Sequence, residues 1–207
     1  MAAFTLSLHE HRLASSARLS LVAAPRVLYV RDGDVDVSGA TVAAGAARYG
    51  AVACAVTAGL RGATVLRYEV RRGDSSASGP PLLEHPLALD PAQRYLVRCD
   101  RVDFDPGGEA LPHGHRGGGI RYLLEGVLEV RVGHGPGRLM KPGDAWFETG
   151  VEPVHAIASR ETPTSFVRVS VLPREIKGQS SIVYVDPAHA AVKPRRYTVF
   201  VDEPIDL

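Results

Sequence analysis

The sequence predicts an all-β fold class, and three features carry that prediction. Short valine-rich runs such as Val27-Leu28-Tyr29-Val30 and Phe166-Val167-Arg168-Val169-Ser170-Val171 recur along the chain. They are separated by 21 glycines and 15 prolines, residues that supply turns and interrupt helices. The histidines His113 and His115 stand two residues apart, the spacing that puts both imidazoles on one face of a strand.

Taken in order, Met1 to about Leu21 alternates with Phe4, Leu6 and Leu8 on one face. It predicts an edge strand followed by a second strand near residues 19–22. Within it, His9-Glu10-His11 is a second H-x-H pair, expected to be exposed on that early strand. Arg26 to Val37 and Arg121 to Val130 each contain a strand, an acidic-Gly pair and a second strand, a hairpin pattern. Thr64 to Val70 likewise mirrors Phe166 to Leu172, so the first half reads as a degraded copy of the second. Arg71 to Pro81 has linker composition, with an irregular stretch expected over Leu82 to Gln93. Arg94 to Phe104 is one long strand or two short ones, and Ser181 to Val185 and Tyr197 to Val201 form a two-stranded tail. The predicted organisation is residues 1–72, a linker over 73–93, and residues 94–207.

Composition bounds the partners. Lys+Arg 24 against Asp+Glu 23 argues against a basic nucleic-acid surface. No helix-turn-helix pattern is visible, and no apolar run approaches the length needed to cross a bilayer. A cytoplasmic protein acting on a small molecule, with no nucleic-acid or membrane partner, is the expectation. Edge strands and the extended tail are consistent with a homodimer. The two cysteines, Cys54 and Cys99, form no metal or redox motif and are expected in the core.

The chemistry concentrates between Asp105 and His155. His113 and His115 can aim two imidazoles at one point, and His155 is expected to supply a third from another strand. The stretch resembles the cupin superfamily, whose motifs are G-x5-H-x-H-x3,4-E-x6-G and G-x5-P-x-G-x2-H-x3-N. Gly107, His113, His115 and Gly126 match the first motif; Pro142-Gly143-Asp144 and His155 match the second loosely. The resemblance implies double-stranded β-helix barrels, in this chain a bicupin whose first half lacks metal ligands. One departure matters: the family's metal-binding glutamate falls at Gly119, leaving His113, His115 and His155 as a three-histidine centre.

Such a centre leaves open positions on a divalent metal. By resemblance it implies an Fe(II) dioxygenase acting on a small anionic or oxygenated substrate, with Zn, Ni or Mn as other occupants. The alternatives are a non-redox lyase, isomerase or decarboxylase, and a non-catalytic small-molecule-binding cupin. Arg121 alternates with position 119 and so faces the cavity, where it binds substrate carboxylate or enolate as a catalytic residue. Its other reading is a charge facing solvent or paired with Glu125 or Glu148. Trp146 and Phe147 are expected as pocket wall or core, Glu109 and Glu148 as loop charges, and His85, His134 and His189 at the surface.

Overall fold

A computed structural model describes residues 4–73, 79–192 and 195–207. The Ser-rich centre of the predicted linker, residues 74–78, lies outside the described residues. The strands in chain order are β1 Phe4–Leu13, β2 Arg18–Leu21, β3 Arg26–Val37, β4 Ala40–Ala43, β5 Ala47–Gly50, β6 Cys54–Arg72, β7 Leu83–Leu87, β8 Tyr95–Phe104, β9 Glu109–His115, β10 Gly119–Glu125, β11 Leu128–Val132, β12 Arg138–Met140, β13 Ala145–Glu148, β14 Val154–Ala158, β15 Thr164–Pro173, β16 Ile182–Tyr184 and β17 Arg195–Ile205. Among the described residues the only helical turns are 3-10 turns at Arg174–Ile176 and Pro187–Ala191. The all-β expectation therefore holds. The chain forms two units, Met1–Gln93 with Ile205–Leu207, and Arg94–Pro204.

In the first unit one seven-stranded sheet runs β4-β3-β6-β1-β7, with β2 on β6 and β5 on β3. β1 is not an edge strand as expected, because it pairs β6 on one side and β7 on the other. β7 occupies part of the stretch expected to be irregular. The expected hairpin at Gly33 is one 12-residue strand, β3. Gly33 adopts φ +75 but forms a bulge rather than a reversal, and a Cβ there would strike the carbonyl oxygen of Gly62. Leu28, Val30, Val35, Val56 and Val65 form the core of this unit.

The second unit has two five-stranded sheets, β13-β10-β15-β8-β17 and β12-β11-β14-β9-β16. The expected hairpin at Gly126 is absent: β10 pairs β13 and β15, whereas β11 pairs β12 and β14. Gly126, at φ +76, passes the chain from one sheet to the other. The tail strands close both sheets, β16 on β9 and β17 on β8. Between the sheets, Phe104, Leu123, Leu128, Trp146 and Phe166 pack as an apolar plug, with Trp146 edge-on to Phe166 at 5.5 Å between centroids. Each such side chain contributes about 1.5–3 kcal/mol by leaving water. The plug fills one part of the interior and leaves a polar part beside it.

Candidate functional site

The polar part is a cavity of about 20 Å³, room for about one water molecule, lined by His113, His115, Arg121, Glu148, Arg168 and Arg195 among others. Strand alternation places these residues. On β10, Gly119, Arg121 and Leu123 share the inward face; across the ladder Arg121 lies opposite Trp146 and Arg168, and Arg168 opposite Asp100. The next rung sets Gly119 opposite Glu148 and Ser170.

On β9 a bulge decides which histidines reach the cavity. Ala110 pairs with Ala156 and His113 with Val154, so β9 carries one extra residue between them, near Leu111 and Pro112. That extra residue keeps Ala110, His113 and His115 all facing inward. His113 Nδ1 lies 2.7 Å from the carbonyl oxygen of Leu111 and donates to it, which leaves Nε2 with the ring's lone pair. The two imidazoles stand edge to face with centroids 4.9 Å apart. Burial holds His113 down at about 4 and His115 down at about 3, so both rings are neutral at neutral pH. His115 Nδ1 is buried without a hydrogen-bond partner.

His155 does not join them. On β14, Val154, Ala156 and Ala158 belong to the barrel core, and alternation turns His155 to the opposite face. There its Nε2 lies 2.5 Å from Glu109 Oε1. The expected three-histidine centre is thus not assembled, because the apolar alternation of β14 outranks the loose motif match. Glu109, expected as a loop charge, is the first residue of β9 and the partner of His155.

A carboxylate missing at Gly119 is present at Glu148, directly across the ladder. No side chain fits at 119: a Cβ there would collide with Ser170 Oγ and lie 2.6 Å from Val169 O. Glu148 is 6 % exposed, not the loop charge expected. Its Oε2 lies 3.4 Å from His115 Nε2 and 2.7 Å from Arg121, and its Oε1 accepts from Trp146 Nε1 at 2.8 Å. Burial pushes this carboxyl up, but Arg121, His115 and Trp146 together outweigh it and hold Glu148 well below the usual carboxylate range. The alternating Trp146-Phe147-Glu148 pattern on a buried strand was the signal that could have found it.

Arg121 faces the cavity as expected, 1 % exposed, but takes the paired arrangement: Glu148 on one side and the Gly119 carbonyl at 2.6 Å on the other. Arg168 is held by both oxygens of Asp100, at 3.1 and 2.9 Å, with its NH1 3.5 Å from His115 Nε2. Arg195 differs from both. It contacts the hydroxyls of Tyr197 and Tyr184 and stacks on the Tyr197 ring, and it has no acidic partner among the described residues. With Arg121, Arg168 and Arg195 against Asp100 and Glu148, the cavity keeps one excess positive charge beside two neutral imidazoles.

The donor set tests well, in part, for a divalent metal. Two ligands on one metal at about 2.1 Å lie about 3.0–3.4 Å apart, the separation of His115 Nε2 and Glu148 Oε2. Both imidazoles are neutral and Glu148 is ionised, as ligation requires. Among the described residues, however, no three His, Cys, Asp or Glu side chains are grouped closely enough to hold a metal as they stand, and Glu148 is paired with Arg121. His134 is exposed and His189 and His85 are half-buried, all away from this cavity. Cys99 is buried and Cys54 half-buried. No helix among the described residues is long and apolar enough to cross a membrane.

Residues 100–170 match the cupin domain model Cupin_2. Among solved structures, a single-residue variant of the oxalate decarboxylase of Bacillus subtilis is similar at 12% identity, with a TM-score of 0.66 over 91% of this chain and 73% of that one. Salicylate 1,2-dioxygenase from Pseudaminobacter salicylatoxidans matches at 12% identity and TM-score 0.57, over 94% and 75%. AerE from Microcystis aeruginosa matches at 14% identity and TM-score 0.58, over 83% and 88%. No curated protein sequence matches the chain. At these identities the structural likeness establishes the fold, and its extent takes in both units.

Proposed function

We propose that this chain, a cupin-superfamily protein by its domain match and its fold, is a divalent-metal-dependent enzyme acting on a small organic anion inside the second barrel. The observation that carries the reading is the Glu148 carboxylate opposite Gly119, at 3.4 Å from a neutral His115. His113 and His115 would hold the metal with Glu148 as the third ligand, a two-histidine, one-carboxylate set that suits non-haem Fe(II). A bound Fe(II) would supply open positions and reducing equivalents for dioxygen, which is why a dioxygenase is the favoured form; Mn, Zn or Ni would instead support Lewis-acid lyase, isomerase or decarboxylase chemistry.

The chain's own groups divide the remaining work. Arg195 binds the substrate carboxylate, since it is the cavity's guanidinium without an acidic partner among the described residues. Arg121 is a positioning residue that holds Glu148 ionised and orients it. The apolar wall of Phe104, Trp146 and Phe166 excludes water from one side of the bound molecule.

Elemental analysis of protein purified without added metal or chelator tests this reading. Near-stoichiometric metal, lost in Glu148→Gln and kept in His155→Ala, is the expected result. Absence of metal even after reconstitution with Fe(II) would overturn it. That outcome favours the second reading, a non-catalytic small-molecule-binding cupin, for which the acid-free Arg195 is the specific observation.

A further inference from the structure

The first unit carries a second polar cluster, on the inward face it shares with its own apolar core. Alternation on β6 sets Val65, Arg67, Glu69 and Arg71 on one face. The paired strands add to that face: Ser7 and Arg26 lie opposite Glu69, and His9 and Leu28 opposite Arg67. His11 lies opposite Val65, itself a core residue.

Three guanidiniums therefore converge on one carboxylate. Glu69 Oε2 receives Arg26 Nε at 3.2 Å and Arg67 NH1 at 3.4 Å, and its Oε1 receives Arg71. The side chains of Arg26, Arg67 and Glu69 are each 1% exposed, and that of Arg71 19%. No other acidic side chain among the described residues pairs with these arginines; Glu10, between His9 and His11 in the chain, pairs with Arg12 and Arg31. The sum is an excess of two positive charges in a site that is buried except at Arg71 and His11, which is unfavourable unless a counter-charge arrives.

Two further observations point to a ligand. Arg67 Nε and His11 Nε2 are buried with no hydrogen-bond partner, whereas native interiors satisfy nearly all such groups. Beside them, His9 and His11, stacked at 6.1 Å, are both held down at about 4, chiefly by burial and further by the Arg67 charge, so neither ring adds charge of its own at neutral pH.

We infer that the cluster of Arg67, Arg71, His9 and His11 around Glu69 is a binding site for a small oxyanion, a carboxylate, phosphate or sulfate group, to which Arg26 adds charge but no free donor because its guanidinium is already held by Glu69 and the carbonyls of Val22 and Val52. Planar guanidiniums bind such groups through paired N–H donors, which an ammonium cannot reproduce. The first unit is then a ligand-binding unit in its own right. This inference is independent of the second unit's chemistry.

Isothermal titration calorimetry of the full chain at low ionic strength tests it, with inorganic phosphate, sulfate and succinate as probes. Saturable binding of at least one anion is expected in the Arg195→Gln background, where the carboxylate contact proposed for the second unit is removed; there Arg67→Lys weakens it tenfold or more, and Glu69→Gln, which removes the internal competitor, tightens it. Which anion binds distinguishes an inorganic from an organic source. No binding by the wild-type chain overturns the inference. Binding that survives Arg67→Lys and disappears in Arg195→Gln also overturns it, because it would belong to the second unit. If Arg67→Lys does not fold, Glu69→Gln decides: affinity that fails to rise overturns the site.

Discussion

Gly119 and Glu148 face each other across the β10–β13 ladder, and the carboxylate absent at the first position is supplied by the second. The exchange follows from packing. The strand at 119 runs too close to Ser170 and Val169 to admit any side chain, while Glu148 on the neighbouring strand reaches the same interior with Arg121 and Trp146 to hold it.

Placing the cupin-motif glutamate at 119 should therefore damage the fold. Gly119→Ala is expected to lose about 1–3 kcal/mol from overpacking, and Gly119→Glu more. Urea denaturation monitored by Trp146 fluorescence measures this. A Gly119→Ala protein as stable as wild type would show that β10 and β15 can separate freely.

Glu148 and His155 make opposite predictions for ligand affinity. Glu148→Gln should reduce divalent-metal affinity at least tenfold, while His155→Ala, which removes a residue from the outer face, should change it less than twofold. Competition against a chromophoric chelator gives both numbers. The reverse order would reinstate His155 as the ligand.

Arg195→Gln should weaken binding of a small carboxylate by about tenfold or more, the scale of a lost charge-assisted pair at about 1.5–3 kcal/mol. The metal content should not change. Calorimetric titration on the metal-loaded protein separates the two, since a merely structural role would shift the melting temperature and leave affinity intact.

Acid should destabilise the first unit through His9 and His11. Both are lowered from 6.5 to about 4, so between those values the unfolded chain binds protons that the folded chain does not. Stability is then fully present above about pH 6.5 and falls as pH drops toward 4, by at most about 1.4 kcal/mol per pH unit for each histidine. Denaturation curves from pH 7 to pH 4 on wild type and His9→Gln check the sign: the variant should show the shallower decline.

Much of this protein was legible in its residues. Val-rich runs punctuated by Gly and Pro determined an all-β chain, the H-x-H spacing determined that His113 and His115 share a face, and the motif pattern pointed to the cupin domain model that residues 100–170 match. These are local properties, fixed by side-chain alternation and turn chemistry within a few residues. What failed were inferences that needed partners. Acidic-Gly pairs at Gly33 and Gly126 look alike in sequence, yet one bulges a continuous strand and the other switches sheets, because pairing strands distant in the chain decide between them. His155 has a motif position, but the side it faces is set by which of its neighbours the barrel buries. Glu148, His9 and the arginines around Glu69 are polar residues that composition alone assigns to the surface. Only tertiary structure could place them inside, where opposing charges and ladder registers make their burial possible.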